Sequence, residues 1–284
     1  MLAITVVWGS TFLIVHVAME HSGPMFFVGL RFLTAGVISA IVFHRSLAGF
    51  RRIELIAGAA IGVALCAGYG LQTIGLQTVS STESAFITAF YVPLVPLLQW
   101  AVFRTAPKPL VLVGVALAFV GLLLLAGPGA LQIGLGPGQI ATLVSTAAIA
   151  AEIILIGFFA AKVDARRVTI VQLLVCGLLS FATMPLLGER VPAFSWIWLA
   201  AAVGLGAATC LIQLTMNWAQ RTVSPTRATI IYAGEPVWGG AFGRLAGDRL
   251  APTALIGAAL IVAGILVSEL KPRGRGEREP LPPE

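Results

Sequence analysis

The 284-residue chain is 58% hydrophobic and 11% charged, with a mean hydropathy of +0.96. Soluble domains are about 45–50% apolar even with glycine counted and about 25% charged, so a water-soluble enzyme or binding module is excluded and an integral membrane protein is expected. The net charge of +6 is accounted for by the placement of Lys and Arg between apolar segments, and no nucleic-acid partner is expected.

In chain order, apolar runs predict crossing helices at 2–19, 24–44, 53–73, 81–103, 110–126, 138–161, 168–187, 194–219, 225–246 and 252–270. Runs of about 17–25 such residues span a bilayer as helix. The connecting loops are too short to be domains, so one membrane domain is expected. Met1 to Ser22 lacks the basic start and small-residue cleavage site of a signal peptide and is read as the first helix. The tail 271–284, KPRGRGEREPLPPE, is charged and proline-rich and is expected to be disordered.

Short cytoplasmic loops carry an excess of Lys and Arg. Arg45, Arg51, Arg52, Arg104, Lys108, Lys162, Arg166, Arg167, Arg221 and Arg227 fall in or beside every second loop, and Lys271, Arg273, Arg275 and Arg278 crowd the tail. Both termini are therefore expected in the cytoplasm, with the protein in the inner (plasma) membrane.

The chain also repeats itself. With an offset of about 143 residues, Pro93 falls on Pro236, Pro109 on Pro252, Gly114 on Gly257 and Gly121 on Gly264. A weaker match sets LRFLTAGVIS (Leu30 to Ser39) on VQLLVCGLLS (Val171 to Ser180), pairing Gly36 with Gly177 and Ser39 with Ser180. Such fixed-period self-similarity marks duplication. Basic residues follow the first proline-containing span (Arg104, Lys108) but precede the second (Arg221, Arg227), so the copies lie upside down to each other. The predicted fold is an all-α integral membrane protein, ten transmembrane helices in two inverted five-helix repeats around a central cavity. The first repeat covers 1–126, a Gly/Pro-rich linker 127–137, and the second repeat 138–270.

Proline inside a helix frees a carbonyl and kinks the axis. In a bilayer such a defect is tolerated only where it is buried in protein or lines a wet cavity. Pro93, Pro96 and Pro236 are therefore expected as kinks or hinges, and proline-interrupted spans at matching places in two halves point to a central transport site.

WGSTF (Trp8 to Phe12), LRFLTAG (Leu30 to Gly36), VSPTRATIIYAGEPVWGG (Val223 to Gly240) and APTALIGAALIVAGILV (Ala251 to Val267) resemble the two EamA-type repeats of the drug/metabolite transporter superfamily. The resemblance covers almost the whole chain and is closest in layout to amino-acid exporters of the YddG type. It implies ten helices in inverted repeats, a central cavity and movement of small metabolites, chiefly export. The Gly-Glu pair that such proteins often carry at the repeat tips is replaced here by Thr105-Ala106-Pro107-Lys108 and by Gly247-Asp248. Substrate identity does not transfer with the repeat.

Ionisable residues at membrane depth are costly and default to functional candidates. Glu235 precedes Pro236 and either contacts substrate or a proton, or serves as a structural plug at the kink. Glu152 stands in the apolar run IAAEIILIG, where an unpaired carboxylate is protonated or faces water; it lines the cavity or snorkels to the cytoplasmic side. Arg31 either grips a substrate carboxylate as a bidentate donor or extends to headgroups. Glu83 is read as interfacial. Trp8, Tyr69, Gln72, Tyr91, Gln213, Asn217 and Tyr232 complete the candidate substrate-binding set, because small-molecule pockets combine apolar walls with a few convergent polar groups. Gln99 and Trp218 are weaker members of the same class. Trp196 and Trp198 are expected in the interfacial belt, Trp238 in packing, and the pairs Gly58/Gly62, Gly239/Gly243 and Gly243/Gly247 at close helix contacts.

Cys66, Cys176 and Cys210 are scattered singly and suggest no metal or disulfide. No phosphate-cradling loop is present in the sequence, and neither cofactor nor metal is expected. A polytopic membrane enzyme would need clustered acids for Mg²⁺, whereas the only aspartates, Asp164 and Asp248, are far apart. The expected activity is export of a small metabolite, amino acids foremost, by alternating access in a lipid-embedded monomer, with a drug or other metabolite efflux carrier or channel on the same fold as the alternative; catalysis is not expected. Protease-accessibility of tags at the two ends, measured in sealed vesicles, is expected to place both on the cytoplasmic face; tags on opposite faces would exclude two five-helix halves.

Overall fold

The computed structural model describes residues 1–79, 81–104, 106–126, 136–245 and 252–269. In order these form α1 (Leu2–Met19), α2 (Pro24–Val42), α3 (Arg52–Gly75), α4 (Ser81–Thr88), α5 (Tyr91–Phe103), α6 (Pro109–Ala126), α7 (Pro137–Ala160), α8 (Ala165–Thr183), α9 (Trp196–Ala219), α10 (Pro225–Tyr232), α11 (Glu235–Leu245) and α12 (Ala254–Glu269). Each predicted span is helical, and the fourth and ninth are each split in two. Among the described residues, seven segments are long and apolar enough to cross a membrane, and two shorter apolar helices cover Pro109–Leu124 and Leu255–Val267. Most of the linker 127–137, Thr105 and Gly247-Asp248 at the tips, the Gly243/Gly247 pairing and the tail 271–284 lie outside the described residues.

The helix starts follow local chemistry. Pro24, Pro137 and Pro225 open α2, α7 and α10, where a missing N–H costs nothing. The Asp164 carboxylate caps α8 by accepting from the Arg166 and Arg167 amides. Glu189, from the loop after α8, reaches across to accept the Met25 and Phe26 amides at the start of α2.

The two split spans break in the same way, and upstream of the prolines. The Phe90 N–H bonds to the Ile87 carbonyl and the Gly234 N–H to the Ile231 carbonyl, both at 3.1 Å, tightening one turn to i→i−3. Pro93 and Pro236 then lie in the first turn of α5 and α11, where the helix needs no donor from them. Pro96 sits inside α5 without interrupting it. The expected kinks are thus displaced to Ala89–Phe90 and Ala233–Gly234, because the ring obstructs the carbonyl one turn earlier rather than its own position.

Glycines bring the halves together. A Cβ on Gly121 would lie 2.6 Å from the Gly257 carbonyl oxygen, and one on Gly264 would lie 2.6 Å from that of Gly114. These are the residues matched by the 143-residue offset, so α6 and α12 run antiparallel and exchange equivalent contacts. The same holds for α2 and α8, where Gly36 fits against Leu174 and Gly177 against Leu33. Further contacts repeat under exchange of halves: α3 packs on α8 as α2 packs on α9, and α5 on α7 as α1 on α11. Gly58 and Gly62 press on Val171 and Val175 of α8, as the small-residue pattern predicts.

Overpacking a close contact costs about 1–3 kcal/mol. Gly121→Leu and Gly264→Leu are each expected to lower the thermal midpoint in detergent, whereas Gly204→Leu, with open space around its Cβ position, leaves it near that of the parent.

Candidate functional site

The candidate residues with ionisable groups are buried: Glu152 is 1% exposed, Glu235 2% and Arg31 3%. Burial rules out the headgroup reading of Arg31 and the snorkelling reading of Glu152. An unpaired charge in so dry a setting is destabilising by several kcal/mol, so its partners matter.

Arg31, on α2, donates from Nε to Thr209 Oγ1 of α9 at 2.8 Å. Its guanidinium lies 5.2 Å from the Tyr69 ring and 5.6 Å from the Phe32 ring, which themselves meet edge-to-face at 4.9 Å. Nη2 has no hydrogen-bond partner. Glu235 and Cys176 stand within electrostatic range, yet among the described residues no ion pair joins Arg31 to a carboxylate.

Glu152 ends a relay of amides across three helices. Asn217 Nδ2 donates to Gln172 Oε1 at 3.1 Å and to Thr169 Oγ1 at 3.1 Å. Gln172 Nε2 donates to Gln213 Oε1 at 2.7 Å, and Gln213 Nε2 donates to Glu152 Oε1 at 3.0 Å. Each amide accepts with oxygen and donates with nitrogen, so the relay has one direction and terminates on an acceptor. Glu152 Oε2 is left without a partner.

Glu235 is the first residue of α11, at the positive end of the helix dipole. Its Oε1 has no partner, so the plug reading, in which helix-end amides satisfy the carboxylate, is not met at that oxygen. The tight approach of Gly9, whose Cβ would come 2.7 Å from the Glu235 carbonyl oxygen, pins this turn to α1. The Tyr91 hydroxyl is also buried and unpartnered. Tyr69, Tyr91 and Tyr232 all lie in electrostatic range of Glu152, and Tyr232 packs edge-to-face on Trp8 with centroids 5.6 Å apart. Trp8, Arg31, Tyr69, Tyr91, Glu152, Gln213, Asn217, Tyr232 and Glu235 thus belong to one polar core.

Gln72 has a different place, since its Nε2 donates to Thr88 Oγ1 at 2.9 Å and ties α3 to the last turn of α4 beside the break. Gln99 accepts from Thr226 at 2.8 Å and links α5 to α10. Trp218 is 64% exposed and points away from the core. Trp198 is not a belt residue: it is buried against Phe26, and its indole donates to the Ala193 carbonyl at 3.0 Å. Glu83 accepts from Gln139 at 3.2 Å.

Several contributors escape a reading of single spans. Thr209, Thr169 and Gln172 are ordinary polar residues in apolar helices, but Gln172 occupies in α8 the place of Arg31 in α2, and Gln213 occupies in α9 that of Tyr69 in α3. The Arg31–Tyr69 contact in one half is therefore answered by Gln172–Gln213 in the other. The cysteines are not scattered either: Ser39 meets Cys210 at 3.0 Å and Ser180 meets Cys66 at 3.4 Å, equivalent contacts of the two halves. Glu54 is a further buried carboxylate. It accepts from Arg51, from the Asp164 amide and from Arg167 Nη1 at 3.2 Å, tying the α2–α3 loop to the α7–α8 loop. Among the described residues no group of three His, Cys, Asp or Glu could hold a metal.

A family model, the EamA-like transporter family, matches residues 1–127 and again 136–270. The chain belongs to the EamA-like transporter family. It is 27% identical over 269 residues to an uncharacterised transporter of Archaeoglobus fulgidus, covering 94% of this chain and 84% of that one. It is 26% identical over 285 residues to the uncharacterised inner membrane transporter YedA of Escherichia coli K12, covering 94% and 89%. One crystal structure superposes with a TM-score of 0.71 at 18% identity, over 94% of this chain and 97% of that chain, and shows the same fold. This EamA-family chain is therefore a multi-pass membrane transporter, and the two matched segments coincide with the halves that exchange contacts.

Leaving one partner of a buried hydrogen bond unsatisfied costs about 1–3 kcal/mol, whereas replacing both by apolar groups can be nearly neutral. Gln213→Leu is expected to lower thermal stability in detergent by that amount, and Gln213→Leu with Glu152→Leu to recover part of it. A double variant less stable by the sum of both singles would break the relay as described.

Proposed function

We propose that this EamA-family transporter exports small zwitterionic metabolites, amino acids foremost, from the cytoplasm by alternating access at the polar core. One observation carries the reading: Arg31, Glu152 and Glu235, all buried and all within electrostatic range of Tyr69, each keep an unpartnered polar atom, Nη2, Oε2 and Oε1 respectively. A ligand with a carboxylate for Arg31 and an ammonium for Glu152 or Glu235 supplies the missing partners. The aromatic rings of Trp8, Tyr69 and Tyr232 offer the apolar walls for its side chain.

The scaffold supports alternating access. The two halves touch through equivalent helices, so exchanging their roles converts one packing arrangement into the other and opens the core to the opposite side. The breaks at Ala89–Phe90 and Ala233–Gly234 lie beside the core and give α5 and α11 a place to turn. The candidate side chains are nearly inaccessible in this conformation, which corresponds to an occluded state. Localisation in the inner membrane as a monomer, with both termini cytoplasmic, belongs to the same proposal. The transporter names of the relatives support this reading over a membrane enzyme.

Counterflow in liposomes provides the test. Labelled amino acids are expected to enter saturably and faster when unlabelled substrate is present on the other side, an acceleration that a channel does not show. A hydrogen bond to a charged group contributes about 1.5–3 kcal/mol, so Arg31→Gln and Glu152→Gln are each expected to raise the half-saturation concentration roughly tenfold or more. Counterflow of drugs or sugars but no amino acid, or unchanged affinity in both variants, would remove the zwitterion site.

A further inference from the structure

Away from the polar core, a groove of about 440 Å³ opens on the outer surface between α2, α3 and the end of α8. Val63, Cys66, Gly70 and Ile74 of α3 form its floor, spaced so as to share one helix face over three turns. Met25 of α2, with Thr183 and Leu186, forms its sides.

The walls offer nothing to a polar molecule. The Thr183 hydroxyl is already bonded to the Leu179 carbonyl at 2.9 Å, and Cys66 faces Ser180. Val63 is 54% exposed and Leu186 82% exposed, so the groove is open to whatever surrounds the helices at that depth. In a membrane protein that medium is hydrocarbon.

Its dimensions select one occupant. From Val63 to Ile74 the groove runs along α3 for about 16 Å at 1.5 Å per residue. That is about half of the 30 Å hydrocarbon core, the depth of one leaflet. It starts near mid-membrane and ends level with the α8–α9 loop, where Arg190 is exposed. A crossing helix lies roughly along the bilayer normal, as acyl chains do, so groove and chain are parallel.

The residues of the groove floor differ between the two halves. Cys66 corresponds to Cys210, and by the same offset Gly70 corresponds to Leu214 and Ile74 to Trp218. Bulky side chains stand in the second half where glycine leaves room in the first. A Cβ on Gly70 would already come 3.1 Å from Met25 Sδ.

We infer that this groove is a lipid site, which seats one acyl chain of a phospholipid from the leaflet opposite the basic loops, with the exposed Arg190, in the loop that follows the lining residue Leu187, as the cation offered to the anionic headgroup. A seated chain touches Cys66, whose partner Ser180 is one helical turn from Cys176, a neighbour of Arg31. The lipid therefore abuts the wall of the polar core without entering it, and the site stands independently of the substrate proposed above.

The test uses the full chain in phosphatidylethanolamine/phosphatidylglycerol liposomes doped with phosphatidylglycerol carrying a diazirine on its acyl chain. After illumination, labels mapped by mass spectrometry are expected to concentrate on 63–74 and 183–187, several-fold above the exposed strip Leu112, Val113 and Val120 of α6. Gly70→Leu and, as a second variant, Ile74→Trp are expected to reduce that labelling to the level of the α6 strip, with a thermal midpoint in detergent near that of the parent as the check on folding. Arg190→Gln is expected to reduce labelling by phosphatidylglycerol more than by a phosphatidylcholine analogue. Labelling equal to that of α6, or no response to either groove variant, would overturn the inference.

Discussion

Close approach of antiparallel helices at glycine is the constraint on which the rest of this structure depends. In lipid there is little hydrophobic force between helices, so association rests on dispersion contacts and interhelical hydrogen bonds that work only at short range. Gly114, Gly121, Gly257 and Gly264 let α6 and α12 meet backbone to backbone, and Gly36 and Gly177 do the same for α2 and α8. Because each contact occurs twice under exchange of halves, the two repeats share an axis. The polar core sits between the elements that these contacts draw together.

On that nearly symmetric frame the chemistry is deliberately unequal. Equivalent positions hold Arg31 and Gln172, and equivalent neighbours hold Tyr69 and Gln213. One half thus places a guanidinium against an aromatic ring, while the other builds a relay of amides that ends on Glu152. Neutral amides can satisfy one another within a dry interior, whereas an arginine and two carboxyls held apart cannot. Arg31 Nη2 from the first half and Glu152 Oε2 and Glu235 Oε1 from the second are left unsatisfied. Asymmetry recurs at the surface, where Gly70 lines a groove and the equivalent positions carry Leu214 and, one turn on, Trp218.

The prolines show how a local rule acts at a distance. Pro93 and Pro236 are comfortable in the first turns of α5 and α11, and the cost of each ring falls on the carbonyl one turn before. The breaks therefore appear at Ala89–Phe90 and Ala233–Gly234, beside Tyr91 and Glu235. This placement leaves the unpartnered Tyr91 hydroxyl and Glu235 Oε1 at the start of α5 and α11.

The sequence by itself determined the helix spans, their number and the duplication, because hydrocarbon thickness imposes length and polarity on every crossing segment without reference to its neighbours. It also singled out Arg31, Glu152 and Glu235, since a charge in an apolar run is conspicuous wherever it points. Only the tertiary structure decided which polar residues act together. Thr169, Gln172 and Thr209 resemble any polar residue in a membrane helix until α2, α8 and α9 are packed, and only packing shows Gln72 bonded to Thr88 and Trp218 facing outward. A hydrogen bond is a property of two atoms on different helices, fixed by distance and direction in space, and a span read alone carries neither.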